Sequence, residues 1–377
     1  MDYRDTPEEA AFRADARAWF ADHTSADWTH VEDEEEQTRL RRQWHQNLYK
    51  AGYAGMAWPV EYGGLGLNAI YSAILADEAV CTQAPQLPPY IGYMGAAIQA
   101  YGTEEQKRHF LPTMLSGEIA WCQGFSEPEA GSDIASLRTR AVLEGDEWVV
   151  NGQKMWTSGA HEADWCFLLV RTEPDLPKHK GITCLLTAMD TPGIEVRKIY
   201  LSNGIPETSE VFFDNVRIPA SQMLGQRGDG WPIAMTTVSF ERGPIEVGAV
   251  QRYEIVLEKI EQAARERGLL GDPRIRSELA LAYARGQALR LASLEELSAR
   301  VSGVAAGEAG SLCKLLWSES EQALQSLSLD VLGVDAWTGK EAEKMAEYFS
   351  ARAVSVYGGT AQIQKNIVAQ RILGMPR

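Results

Sequence analysis

The 377 residues contain no stretch of eighteen or more apolar positions, which excludes a membrane-spanning helix. Cysteine is sparse: Cys81, Cys122, Cys166, Cys184 and Cys313 are odd in number, scattered, and form no C-x-x-C pair. That pattern excludes a disulfide framework or a zinc ribbon and reads as buried thiols in a reducing compartment. The six histidines show neither H-x-x-x-H nor H-x-x-E-H spacing, and no calcium-binding loop occurs, so metal catalysis has no support. Positive charge is in deficit. A net charge of −16 repels polyanions and argues against a nucleic-acid partner, so a site for any phosphate-bearing ligand must be a local exception. The start, Met1-Asp2-Tyr3-Arg4-Asp5, lacks a basic segment followed by an apolar one, and a cytoplasmic location is the expectation. Internal repeats and low-complexity segments are also missing.

What is present is a globular composition, 45% hydrophobic and 23% charged, long enough for two or three packed units. Three textures follow one another, and they divide the chain into a helical domain (1–118), a β domain (119–225) and a helical bundle (226–377). The first reads as helices over 8–20, 35–51, 69–84, 90–101 and 103–115. The last of these opens on a capping box of Thr103 and Gln106 ahead of Phe110, Leu111 and Met114. From Ile119 the period changes to two. Strands are expected over 148–150, 166–170, 182–186 and 210–213, with Asn151-Gly152 as a turn and the chain resuming over 153–157. Long helices return over 231–267, 273–306, 308–332 and 341–373, the last interrupted by Gly358-Gly359. Segregated helices and strands define an α+β fold, with a β-barrel-like or sandwich domain between helical ones.

Two features are decoys. Gly64-Leu65-Gly66-Leu67-Asn68-Ala69 matches a loose dinucleotide fingerprint, but no clean strand precedes it and no β-α alternation follows. The acidic run 32–36 is a solvated helix start.

Three segments carry chemistry. Trp121-Cys122-Gln123-Gly124-Phe125-Ser126-Glu127-Pro128-Glu129-Ala130-Gly131-Ser132-Asp133 is an apolar strand ending in a turn of small polar residues, able to bring N–H and hydroxyl groups to a flat polar ligand. In Asn151 to Ala160, Trp156 and Ser158 would share one face of a strand, an aromatic wall beside a hydroxyl. Each alone has an ordinary reading, a loop in one case and a core tryptophan beside a surface serine in the other. With the C-terminal Tyr357-Gly358-Gly359-Thr360-Ala361-Gln362-Ile363-Gln364, and with Val211-Phe212-Phe213-Asp214-Asn215-Val216, the chain resembles acyl-CoA dehydrogenases in order and over nearly its whole length.

The resemblance implies a C-terminal four-helix bundle, a tetrameric assembly, and FAD between the β domain and that bundle. Phe125 and Ser126 would line the flavin, Trp156 would pack on its ring, and Ser158 would offer a hydroxyl near N5. Arg276 and Gln287 would hold the ADP half of a neighbouring subunit's FAD, with Thr360 and Gln362 as further contacts. Ser132 sits where the family contacts coenzyme A, and Arg242 is grouped with it as a substrate contact. The reaction removes an α-proton from an acyl thioester while a β-hydride leaves for flavin N5, so a carboxylate of raised pKa is required. Many relatives carry it within Tyr-Glu-Gly-Thr. Gly358 stands there instead, which rules out that arrangement.

A minority of the family places the base on the first helix of the C-terminal domain, and in Val238-Ser239-Phe240-Glu241-Arg242-Gly243-Pro244 that position is Glu241, with Glu246 as the alternative. Gly358 would still present its backbone N–H to the thioester oxygen, and its missing side chain would suit branched or bulky acyl groups. A second departure is Asp330-Val331-Leu332-Gly333-Val334-Asp335, where relatives have a glycine-rich stretch that reaches a neighbour's ADP. An aspartate there would repel a pyrophosphate. The expected substrate is an acyl-CoA or an acyl-carrier-protein thioester, and the expected electron acceptor is an electron-transfer flavoprotein. Alternatives stay open: a same-fold oxidase or monooxygenase, or a subunit that completes a partner's FAD site in an α2β2 tetramer rather than a homotetramer.

Overall fold

The computed structural model describes residues 4–24, 33–241, 246–303 and 309–376, with the side chains of residues 241, 246 and 247 left aside. Twelve α-helices and eight strands are assigned among them. The helices of the first third are α1 (Pro7–His23), α2 (Glu34–Lys50), α3 (Ala69–Cys81), α4 (Tyr90–Tyr101) and α5 (Glu104–Ser116). Their starts follow local chemistry. Thr6 with Glu9, and Thr103 with Gln106, form reciprocal capping boxes, while Asp33 and Asn68 cap α2 and α3 through their side-chain oxygens. Gly117 ends α5 with a left-handed turn.

The strands are β1 (Trp121–Gly124), β2 (Arg140–Glu144), β3 (Glu147–Ser158), β4 (Trp165–Arg171), β5 (Ile182–Ala188), β6 (Ile194–Ile199), β7 (Thr208–Pro219) and β8 (Met223–Leu224). They form one mixed sheet in the order β6-β7-β3-β2-β4-β5-β8, with β1 parallel to β4. Strand β4 is buried along its length because it is central, whereas β7 alternates between buried and part-exposed positions over its first half.

One expectation fails here. Asn151-Gly152 does not reverse the chain: β3 runs straight through it, with a register shift against β7 between Val150 and Gly152. A tight hairpin turn of this type needs positive φ at both residues, and only Gly152 has it (+151°). Asn151 instead grips the facing bulge on β7, its Oδ1 accepting the Asn215 N–H at 2.9 Å. Gly152 is required by contact, since a Cβ there would lie 2.6 Å from Thr139 Cα.

The last third holds α6 (Gly230–Glu241), α7 (Glu246–Glu266), α8 (Pro273–Val301), α9 (Ala309–Leu332), the short α10 (Val334–Trp337), α11 (Ala342–Ala353) and α12 (Ala361–Ile367), closed by a π-turn over Val368–Ile372. The helix expected over 231–267 is described as α6 and α7, with residues 242–245 outside the described ones, and that over 341–373 is broken between 354 and 360. The described residues fall into two compact units: α1, α3 and α7–α12 in one, and the sheet with α2 and α4–α6 in the other. The sheet unit has its main core where Phe110, Leu111 and Met114 of α5 meet Trp121, Phe167, Leu169 and Ile233. Trp58 locks into this unit by close approach, since Cβ atoms at Gly64 and Gly95 would fall 2.3 Å from its carbonyl oxygen and 2.1 Å from its ring. The Gly64–Asn68 segment is thus a packing loop ahead of the α3 cap, with a 3-10 turn and no strand before it. In the other unit, Tyr253, Ile260, Leu324, Leu327 and Val331 build the core of α7, α8 and α9. No described helix is long and apolar enough to cross a membrane, and no described group of His, Cys, Asp and Glu could hold a metal. None of the five cysteines forms a disulfide, and only Cys81 is exposed.

Candidate active site

In the sheet unit the site begins where β1 ends. Phe125 turns into the core against Phe167, their ring centroids 6.0 Å apart, and Ser126 follows half-buried. The Ser126 carbonyl accepts the Met155 N–H at 2.9 Å, which ties this turn to β3. Beside that tie, Lys154 is 0% exposed and donates to Glu127 Oε1 at 2.8 Å and to the Phe125 carbonyl at 3.2 Å. Glu127 also accepts the backbone N–H groups of Arg138 (2.6 Å) and Thr139 (2.9 Å). Burial pushes the Glu127 carboxyl up, but the Lys154 ammonium and the donated hydrogen bonds outweigh it and hold the group below its ordinary range. Burial draws the Lys154 ammonium down despite Glu127.

Two residues past Lys154, β3 loses register with β7 until Thr157. There Trp156 takes φ +60°, a conformation that bulky residues rarely adopt, and leaves its side chain 52% exposed. Ser158 is exposed too, with Thr157 buried between them, so tryptophan and hydroxyl lie on the open side of the strand. Thr208 pairs with Ser158, and its buried hydroxyl has no partner among the described residues. Ser132 is exposed on the turn, next to Asp133, which Lys178 holds at 2.7 Å.

In the helical unit, Gly358 (φ +61°) and Gly359 (φ +85°) are consecutive left-handed residues between α11 and α12. Thr360 follows as the cap of α12, its hydroxyl accepting the Ile363 N–H at 3.3 Å, and Gln362 is exposed on the first turn. Arg276 and Gln287 lie about three turns apart on one side of α8. Arg276 is exposed, while Gln287 is half-buried beside Glu254, 3.5 Å from Nε2 to Oε1. The two aspartates that depart from the family pattern are not bare: Asp330 is paired with Arg274 at 2.6 Å, and Asp335 with Arg267 at 3.0 Å and Lys340 at 3.2 Å.

The structure therefore joins Phe125, Ser126 and Trp156 through the β1–β3 ties, and Gly358 and Thr360 in one turn. Glu241 is the last residue of α6, and its side chain lies outside the described residues, as does the side chain of the alternative, Glu246; Arg242 lies outside them entirely. Glu127, Lys154 and Gln364 escaped the reading of the sequence. A lysine inside an otherwise half-buried strand was the available signal for Lys154.

In the sheet unit an aromatic side chain and a hydroxyl share the open side of β3, and in the helical unit a double-glycine turn precedes the Thr360 cap of α12. The chain belongs to the acyl-CoA dehydrogenase family, FAD-dependent oxidoreductases that act on acyl-CoA. Family models for the N-terminal, middle and C-terminal domains match residues 6–118, 122–216 and 228–373. It is 39% identical to acyl-CoA dehydrogenase IpdE1 of Mycobacterium tuberculosis over 97% of each chain, and 38% identical to IpdE1 of Mycolicibacterium smegmatis over 98% of each. Among solved structures it is similar to the Tcur3481-Tcur3483 steroid ACAD (TM-score 0.87, 31% identity) and to the ChsE4-ChsE5 complex from Mycobacterium tuberculosis (TM-score 0.87, 30% identity), each over 100% of both chains. The residues present fit FAD. A tryptophan left half-exposed on a half-buried strand, beside an exposed serine and an orphaned threonine hydroxyl, suits a flat ring with polar edges.

Proposed function

We propose that this chain dehydrogenates an acyl thioester between its α and β carbons, with Glu241 as the base and the Gly358 N–H as the donor to the thioester oxygen. The observation that carries the reading is Gly358, a glycine in a left-handed turn where many relatives place the carboxylate. With that position vacant, Glu241 at the end of α6 is the matching acid. Glu241 takes the α-proton, and Gly358 N–H stabilises the enolate-like charge that builds on the thioester oxygen. Trp156, Phe125, Ser126 and Ser158 hold the ring of FAD, Thr360 and Gln362 contact it further, and Arg276 and Gln287 serve the ADP half of a neighbouring subunit's cofactor. FAD, when bound, supplies the acceptor for the β-hydride. Ser132 and Arg242 hold the thioester arm.

The acyl group we propose is bulky, branched or cyclic. Gly358 brings no side chain to the substrate, and the similar Tcur3481-Tcur3483 protein is named a steroid enzyme. Electrons then pass to an electron-transfer flavoprotein. A second reading is favoured by the two similar structures that are each named for two chains: this chain is one subunit of an α2β2 tetramer. The visible spectrum of the protein purified alone, before and after anaerobic acyl-CoA, tests both. An oxidised-flavin spectrum that bleaches with thioester, but not in Glu241→Gln, supports the catalytic reading. A colourless protein supports the partner reading, and bound flavin that no thioester bleaches refutes the proposed substrate.

A further inference from the structure

We infer that Gln364 is a positioning residue that locks the Gly358-Gly359 turn, an inference that rests on the reading of Gly358 as the thioester-oxygen donor. Two adjacent glycines have the largest conformational freedom of any dipeptide, so nothing in their own chemistry holds an N–H in one direction. Here both have positive φ, and both carbonyls accept from one amide: Gln364 Nε2 donates to Gly358 O at 3.1 Å and to Gly359 O at 3.2 Å. Gln364 is 1% exposed, so water does not compete for these bonds.

The amide can sit only one way round. Turned over, its oxygen would face two carbonyl oxygens. As placed, its own Oε1 is buried without a partner among the described residues, an arrangement that packing alone would not select. The surrounding backbone also shapes the turn. Ala361 N–H donates to the Ser355 carbonyl at 2.9 Å, the Thr360 hydroxyl caps α12, and Gln322 Nε2 donates to the Ser355 hydroxyl at 2.8 Å. None of these reaches the carbonyls of the two glycines. In this chain a restraint on the turn comes from a buried amide six residues on.

Gln364→Met keeps the volume and removes both donors. Two readouts on the whole protein separate the parts of the argument: amide hydrogen exchange over residues 355–361, measured without substrate, and steady-state turnover of an acyl-CoA panel. The expected result is exchange at least tenfold faster in that segment alone, a kcat lowered roughly 10- to 100-fold, and a KM within about threefold, since aligned oxyanion donors act mainly on the transition state. Unchanged exchange overturns the lock and leaves the reading of Gly358 intact. Faster exchange with kcat within twofold of the parent overturns the link to catalysis and the role of the Gly358 N–H with it. Should the methionine variant not fold, Gln364→Asn, which draws the amide back by one methylene, gives the same two readouts.

Discussion

Replacing Lys154 with methionine should expose how the turn after β1 and strand β3 are held together. The ammonium is wholly buried and the Glu127 carboxylate is 8% exposed, so the pair is shielded from solvent on both sides. Methionine matches the stem but leaves Glu127 with only the Arg138 and Thr139 N–H groups, and leaves the Phe125 carbonyl short of a donor. Breaking a buried pair by removing one partner costs about 3–5 kcal/mol. For a protein of this size, at about 2.1 cal/mol/K of unfolding entropy per residue, that lowers Tm by roughly 4–6 °C.

The pH dependence has a definite sign. With Lys154 gone, burial prevails and the Glu127 pKa rises above its unfolded value. The penalty is then full at neutral and alkaline pH, and is relieved as pH falls and the carboxyl takes a proton. Scanning calorimetry of parent and variant at pH 8 and pH 5 should show the gap narrowing at pH 5. Lys154→Met with Glu127→Gln should recover most of the loss, because no charge is left buried. A single variant within about 1 kcal/mol of the parent at pH 8 would refute the reasoning.

Other perturbations follow from particular contacts. His45 is buried with its ring N–H on the Leu115 carbonyl, and burial drops its pKa to about 4. Between pH 6.5 and about 4 the unfolded chain binds a proton that the folded protein refuses, so stability falls by roughly 3 kcal/mol over that window. Urea midpoints of His45→Gln should lose that part of the acid sensitivity. Gly95→Ala drives a methyl into the Trp58 ring and should cost about 1–3 kcal/mol, read as a lower Tm and altered tryptophan emission. Asp330→Asn removes an exposed ion pair with Arg274 and should change stability by less than about 1 kcal/mol. Its FAD retention should rise if the carboxylate opposes the pyrophosphate, and equal retention in a filtration assay would remove that argument.

Much of the scaffold was legible in the residues, because it is decided within a few positions of the chain. The capping box at Thr103, the apolar face of α5 and the strand runs of β4 and β5 depend on local hydrogen bonds and side-chain alternation, which a sequence displays directly. The family motifs put forward Trp156, Ser158 and Gly358 as candidates through the resemblance alone. Three things were decided by the fold. Asn151-Gly152 has the chemistry of a hairpin, but Asn215 on a strand 64 residues away offers it a bulge to grip instead. Lys154 has the charge of a surface residue, and becomes a core residue because Glu127 and two backbone amides meet it there. Gln364 reads as one more polar residue of a helix, yet its amide ends on the two glycines before that helix. A turn or a cap is fixed by neighbours along the chain. The burial of a charge or an amide depends on whether distant groups arrive to satisfy it, and only the packed molecule brings them together.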